Sequence, residues 1–417
     1  MTNDLTSVVV AQLGARRHYD VPYVLYQNGL LEGLYTDFLV APDSKLEKLA
    51  SYWTRLPAMA RPELARKIRG RSARSIPLHK VTAFNGLGIA YFVALRLARW
   101  PKLTGSLYSL FGRAFALKVV QAGLNGASIV YGFNTASLEL FEYAKAGGLK
   151  CVLEQTIAPK KIEMALIDEE RRRWPGWEAG KVRPGAEQMI VKREEKEWAL
   201  ADLILAGSQF VADGLSRCGV ARERCTVVPY GVDVSRFRPA TQSSQRRGPV
   251  RILFVGEVGL RKGIAYLYEA QKRLNTTNVV VRAVGPNVLS LQACKILAQK
   301  MDLAGPLPAN EMPEVFRWAD IFVFPSICEG SALVIYEALA SGVPVITTPN
   351  AGSIVRDGID GFIVPIRDSE AIANCIDGLA ANPGVLQEMS RKAVECVQEI
   401  TRAQYGERLV QALLSMR

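Results

Sequence analysis

Glu329 and Glu337 stand eight positions apart in PSICEGSALVIYEALASGVPVITTPNAGSIVRDGIDG, the stretch from Pro325 to Gly361. From Ala332 to Ala340 every residue except Glu337 is uncharged and most are apolar. A helix that is apolar all round is a buried helix, so Glu337 is carried into or beside the interior. A carboxylate there is costly unless something hydrogen-bonds it. Nothing near it in sequence is basic, so a ligand rich in hydroxyls is its natural partner. Glu329 stands just ahead of the helix beside Gly330, with Ser331 as the expected N-cap. The N–H groups of Ser331, Ala332 and Leu333, together with the helix dipole, form a ready anion site. Carboxylates for sugar hydroxyls and a cradle for phosphate outline a nucleotide-sugar site. On the pair alone, a Glu337 that reaches the surface and a Glu329 that is an ordinary loop carboxylate are equally open.

The loop GEVGLRKG supplies the opposite charge. Gly256, Gly259 and Gly263 let backbone approach a ligand closely, and Arg261 and Lys262 precede a helix. Taken alone, this is equally well a solvated helix start. Facing Glu329, it becomes the second wall of a diphosphate pocket. The first half of the chain offers weaker candidates. Gly14, Arg16 and Arg17 follow the first apolar run, Asn134 follows Tyr131, and Glu154 and Gln155 follow the run KCVL. Gly14, Arg16, Asn134 and Gln155 read as cleft contacts to donor or acceptor, or as plain loop residues. Glu154, at a strand's carboxyl end, reads as a base or an orienting group for an acceptor hydroxyl, or as a residue that only binds loop backbone. The segment ERRRWPGWE holds two tryptophans that suit a sugar face or a lipid interface.

These residues need a scaffold, and the pattern is α/β. Short apolar runs ending in Gly or polar residues alternate with helix-length segments, as in parallel-sheet construction. Ser7–Leu13, Ser128–Tyr131, Lys150–Leu153, Asp202–Ala206 and Thr226–Pro229 read as strands of a first domain, residues 1–240. The polar tract from Thr241 to Pro249 reads as a linker. Val250–Val255, Asn278–Val284, Ile321–Pro325 and Val343–Thr347 read as strands of a second domain, residues 250–400. Two Rossmann-like halves would face each other across a cleft, with ligands at the carboxyl ends of the strands.

A chain of 417 residues holds two domains of ordinary size. Its seven cysteines are scattered, with no CxxC pair and both histidines distant, so a metal site is not expected and reduced cytosolic thiols are. The N-terminus reads as a first strand rather than a leader, and no run reaches the ~18 apolar residues of a spanning helix. The net charge of +12 is uneven. Residues 251–417 balance at −1, whereas residues 51–118 carry 13 Lys/Arg against the single acid Glu63. With the apolar GLGIAYFVALRLARW inside it, that window suits an anionic membrane surface. No nucleic-acid-binding motif accompanies it, which ranks nucleic acid below the membrane; a merely solvated basic face is the third reading.

The segment from Pro325 to Gly361 resembles the donor-site signature of family 4 glycosyltransferases, a retaining group with the GT-B fold. VVPYGVDVSRFRP (Val227 to Pro239), ILFVGEVGLRKG (Ile252 to Gly263), ADIFVFPS (Ala319 to Ser326) and DGIDGFIVP (Asp357 to Pro365) follow the family's order and spacing. The resemblance is strong over residues 200 to 400 and weak before them. It implies two Rossmann-like domains around a central cleft, with a helix at 401–417 crossing back to the first. It also implies transfer of a sugar from a nucleotide-diphospho-sugar to a hydroxyl, with Glu329 on the sugar and Glu337 on the ribose. Gly259, Arg261, Lys262, Gly330, Ser331, Ala332 and Leu333 would surround the diphosphate, and Glu329, Lys262 and Glu154 would carry the chemistry. No Asp-x-Asp metal motif is present, so helix N-terminus and cations would stabilise the leaving phosphate without metal or cofactor. The acceptor is expected to be lipid-linked or a saccharide, reached from the cytoplasm, with the protein peripheral on the inner membrane face. Two departures stand out: Gly256–Glu257 where the family has Gly-Arg, and Glu154–Gln155–Thr156 where many relatives place a His. They leave open a donor-binding subunit without chemistry. A nucleotide-sugar epimerase or hydrolase of the same fold is the other alternative.

Overall fold

The computed structural model describes residues 6–40, 76–97, 101–124, 126–178, 184–239 and 248–416, with isolated residues 44, 48, 52 and 71. Most of the expected linker, and residues 53–70 of the basic window, lie outside the described residues.

The first sheet holds β1 (Val8–Gln12), β2 (Leu31–Thr36), β3 (Val81–Ala83), β4 (Ile129–Phe133), β5 (Lys150–Gln155), β6 (Leu203–Ala206) and β7 (Cys225–Val227) in the order β3-β2-β1-β4-β5-β6-β7. Every pair is parallel. β1 is buried along its whole length, as a strand covered on both faces must be. Its residues alternate between two cores: Val8 and Val10 pack with Tyr131 and Leu205, Val9 and Ala11 with Phe115 and Leu153. The second sheet holds β8 (Val250–Val255), β9 (Val279–Val284), β10 (Asp302–Gly305), β11 (Ile321–Phe324), β12 (Val345–Thr347) and β13 (Gly361–Ile363) in the order β10-β9-β8-β11-β12-β13, again all parallel.

Both orders reverse once, between β1 and β4 and between β8 and β11. A ligand crevice belongs at such switch points, beyond the carboxyl ends of the strands. The residues placed there are Gly14–Arg16, Asn134, Gly256–Lys262 and Pro325–Glu329.

Each domain lends a segment to the other. Helix Arg402–Leu414 opens on a capping box at Thr401 and Gln404. It packs Tyr405, Leu409 and Leu413 into the first domain's core. In return, helix Lys160–Arg173 and the turn after it reach the second domain. Trp174 packs against Trp177 with the rings tilted, centroids 4.7 Å apart, and meets the Tyr266 ring edge-on at 5.8 Å. Glu170, fully buried, accepts from Tyr266 Oη at 2.7 Å and Arg367 Nε at 2.6 Å. The tryptophans therefore serve an interdomain clasp, not the sugar face or lipid interface that the sequence offered.

β5 runs two residues beyond its expected end, which places Glu154 and Gln155 inside the strand. Glu154 pairs with Phe133 on one side and Leu205 on the other.

Candidate active site

Backbone packing sets the second-domain wall. Gly263 has φ 73°, and a Cβ there would lie 1.9 Å from Pro325 O. Only glycine lets the two loops cross so closely. The crossing ties Arg261 to the β11 loop: its carbonyl accepts from Ile327 N at 2.9 Å and Ser326 Oγ at 3.2 Å, and its Nη1 donates to Cys328 O at 3.2 Å. Arg261 Nη1 and Lys262 Nζ both donate to Glu329 Oε1. Lys262 also lies over the Phe324 ring at 5.2 Å. Burial pulls the Lys262 pKa below its ordinary value, against the pull of Glu329. For Arg261 burial acts the same way, but Glu329 and its acidic neighbours outweigh it and the pKa is raised. Glu257 stands 3.9 Å from Arg261, so the acid at the family's arginine position is answered by the cation four residues on.

Helix Leu333–Ala340 begins one residue later than Ser331 requires. Its N-cap is Ala332, with no side-chain cap, while Ser331 Oγ shares a hydrogen bond with Tyr336 Oη at 2.8 Å. The expected Ser331 N-cap is thus corrected: the buried tyrosine one turn on captures the hydroxyl. Ala332 N donates to Ala351 O and Ile335 N to Ala332 O. The N–H groups of Leu333 and Val334 have no acceptor among the described residues. They are the open donors of the helix start.

Glu337 lies one turn further, half-buried. Its carboxylate makes no hydrogen bond or ion pair among the described residues, and burial lifts its pKa to about 7, with Arg236 opposing. Arg236 is held by Ala309 O at 2.8 Å and the face of Phe237 at 5.4 Å. Nothing in the sequence pattern singled it out.

The first-domain wall is different in kind. Gly14, at φ 88°, donates to Asp37 Oδ1 at 2.8 Å. Arg16 Nη1 donates to Thr156 Oγ1 at 2.9 Å and its guanidinium lies over Phe133 at 5.5 Å. Its Nε is buried without a hydrogen-bond partner. Burial lowers the Arg16 pKa, with Glu154 opposing. Asn134 is buried, giving to Glu194 Oε1 at 3.0 Å and accepting from Thr156 Oγ1 at 2.9 Å. Gln155 gives to the same Glu194 oxygen at 3.0 Å and accepts from Trp198 Nε1 at 2.9 Å. Asn134 and Gln155 are therefore struts beneath the wall and not the cleft contacts expected of them. Glu154 is also buried, accepting from Tyr131 Oη at 2.5 Å and Tyr230 Oη at 3.1 Å. A carboxylate held by two phenols orients them. The base role expected of it finds no geometric support, because strand pairing turns it inward.

The walls touch at Gly330, where a Cβ would lie 1.9 Å from Thr156 O. Gly330 O accepts from Ser208 Oγ across the same contact. A cleft between the domains is lined by Lys160, Glu163 and Arg171 of the first and Glu257, Arg261 and Val288 of the second. Among the described residues no three His, Cys, Asp or Glu side chains are grouped to hold a metal.

Two Rossmann-like domains around this cleft, braced by a returning helix, are the GT-B fold. Solved structures share it across the chain. HepE from Anabaena, in complex with UDP, superposes with a TM-score of 0.65 at 15% identity, covering 98% of this chain and 100% of that one. Sucrose-phosphate synthase from Thermosynechococcus elongatus gives a TM-score of 0.63 at 16% identity, covering 99% of each chain. In sequence, residues 249–382 match the family Glycosyl transferases group 1. A D-inositol 3-phosphate glycosyltransferase of Streptomyces bingchenggensis is 30% identical over 226 residues, 48% of this chain and 50% of the relative. The chain spans about half the length of the curated relatives it matches.

Proposed function

We propose that the protein transfers a glycosyl group from a nucleotide-diphospho-sugar to a hydroxyl acceptor, with retention of anomeric configuration and without a metal. The observation that carries this reading is the convergence of Arg261 and Lys262 on Glu329 at the start of a helix whose Leu333 and Val334 N–H groups are open. Fixed cations and open amides are what a departing diphosphate requires, because negative charge grows on it as the bond to the sugar breaks. The diphosphate would take the amides, Lys262 and Arg261, and Arg16 would face it from the other domain through its unpartnered Nε. Glu337, unpartnered with a pKa lifted to about 7, would accept from ribose hydroxyls. Glu329 would meet the sugar once the diphosphate shares its two cations. Contact at Gly330 would close the cleft against water and so limit hydrolysis of the donor.

The acceptor in this reading is a saccharide or a lipid-linked precursor, brought to the first domain at a membrane surface inside the cell. A donor-binding subunit without chemistry is the second reading, favoured by Glu154 being locked by Tyr131 and Tyr230 where a catalytic group was expected. The two separate on turnover. Incubated with an α-linked nucleotide-sugar, an acceptor panel and a chelator, the protein should give an α-linked product by NMR, and Glu329→Ala should not. A β-linked product would overturn retention. Binding of the donor without product from any acceptor would favour the subunit reading.

A further inference from the structure

The loop Gly256–Gly263, which carries Arg261 and Lys262, is anchored at two points. At its far end Gly263 crosses Pro325 within its own domain. In its middle the anchor comes from the other domain. Leu260–Lys262 form one 3₁₀ turn whose N-cap, Gly259, brings no side chain to the first free amide. Such an amide needs an acceptor. Glu178 of the first domain supplies it from 82 positions away: Leu260 N donates to Glu178 Oε1 at 2.8 Å.

Gly259 makes room for that carboxylate. Its backbone is extended, at φ −163° and ψ 174°, so the angles alone would admit any residue. Space would not: a Cβ there would lie 3.0 Å from Glu178 Oε1 and 2.6 Å from Val288 Cγ2. The turn before Glu178 is built to deliver it. Trp174, Pro175, Gly176 and Trp177 form a tight turn closed by Trp177 N on Trp174 O at 3.2 Å, with Gly176 at φ 79°. Proline second and a left-handed glycine third are the residues of a type II turn. Beyond it the chain runs against the segment after β9. Ser290 N donates to Trp177 O at 2.7 Å, and Glu178 bridges Leu289 in antiparallel register. That segment in turn bridges the Arg261 loop, Asn287 to Val258, with Val258 N on Pro286 O at 2.8 Å. Three short stretches of backbone, one from the first domain and two from the second, lie side by side and seat the Glu178 carboxylate on the loop.

We propose that Glu178 is a positioning residue of the donor site: standing in the first domain, its carboxylate holds the Leu260 amide and so fixes the turn that presents Arg261 and Lys262. The proposal rests on the transferase reading for the ligand, a nucleoside diphosphate. It adds that the second domain's cations are set by the first domain. Glu178 acts through Leu260 and touches no ligand itself.

The test compares three variants of the full chain. Glu178→Ala removes the acceptor, and Glu178→Gln keeps an amide oxygen for Leu260 N. Glu170→Gln loosens the clasp elsewhere and leaves that bond intact. Hydrogen–deuterium exchange is read first, without ligand. Glu178→Ala should exchange ~5-fold faster across Gly256–Gly263, the equilibrium worth of one lost cap, and both Gln variants should match the parent there. The dissociation constant for UDP, GDP or ADP, whichever the parent binds, should rise by a similar ~5-fold in Glu178→Ala alone. Loop exchange in Glu178→Ala equal to the parent's would overturn the proposal. So would an equal loss of affinity in Glu170→Gln, which would make the whole clasp responsible. Tighter binding in Glu178→Ala would overturn it too, because the carboxylate would then compete for the amide. A parent that binds none of the three nucleotides, with the exchange difference still present, would overturn the transferase reading and not the loop contact.

Discussion

The two domains each bury carboxylates, and the comparison between them separates structure from function. In the first domain every buried glutamate is answered from within the protein. Glu154 has two tyrosines, and Glu194 has Asn134, Gln155 and the Lys160 amide at 2.7 Å. Glu197 takes the amides of Thr135, Ser137 and Leu138 at 2.6, 2.9 and 3.1 Å, with Arg193 beside it. It is a carboxylate set on the start of helix Leu138–Ala146, where orphan amides and the dipole favour it. In the second domain Glu337 has no partner among the described residues, and Glu329 holds two cations that, on the proposed function, a diphosphate would also claim. A buried acid that is satisfied braces the fold; on that proposal, one left open is where the ligand binds.

The strongest way to break this contrast is through Glu329 and Lys262. Glu329→Ala and Lys262→Ala should each lower turnover by ~10²–10³-fold, the cost of losing one preorganised group at a transition state, with melting temperatures close to the parent's. A variant that melted early yet turned over normally when folded would place these residues with the braces.

Glu197→Ala should do the reverse. Three amides and Arg193 lose their acceptor, a loss of ~3 kcal/mol and several degrees of melting temperature. Turnover below the transition should stay within about twofold, because Glu197 touches no substrate in this account. Loss of turnover with unchanged melting would end the division of labour between the domains.

Glu337 sharpens the comparison through pH. Its pKa rises from the ordinary 4.5 to about 7 on folding, so its share of stability is complete below pH 4.5 and is lost as pH climbs through 7. Glu337→Gln should therefore gain ~1–2 kcal/mol over the parent at pH 8 and nothing at pH 4, read as melting temperature. Equal pH profiles would mean that the carboxylate is satisfied after all.

Much of the second domain is legible because β8, β9, β11 and β12 are mostly apolar runs, with Arg251 and Arg282 the only charges among them, and because one charge in an apolar helix has few explanations. The cation displaced to Arg261 follows from the same loop. The first domain is harder to read. β2 contains Gly33 and an exposed Glu32, which breaks the strand pattern, and β3 has only three residues. Glu194 and Glu197 sit in KREEKEWAL, which looks like a solvated helix. Their one signal is periodicity: they share the face of Ile190, Val191, Trp198 and Ala201. Ser331 misleads because local sequence names it a cap, whereas Tyr336 competes for its hydroxyl across the turn. The clasp of Glu170, Tyr266 and Arg367 joins residues nearly two hundred positions apart, beyond any local pattern.

The central claim is that the open groups of the second domain hold a nucleoside diphosphate. The most direct test is a thermal-shift titration of the purified protein with a panel of nucleoside diphosphates and nucleotide-sugars in the presence of a chelator, repeated with Glu337→Ala. A ligand present at a hundred times its dissociation constant stabilises the native state by ~2.7 kcal/mol. The account predicts a shift of several degrees for one nucleotide class, lost or sharply reduced in Glu337→Ala. An equal shift in the variant, or no shift with any nucleotide, would contradict it.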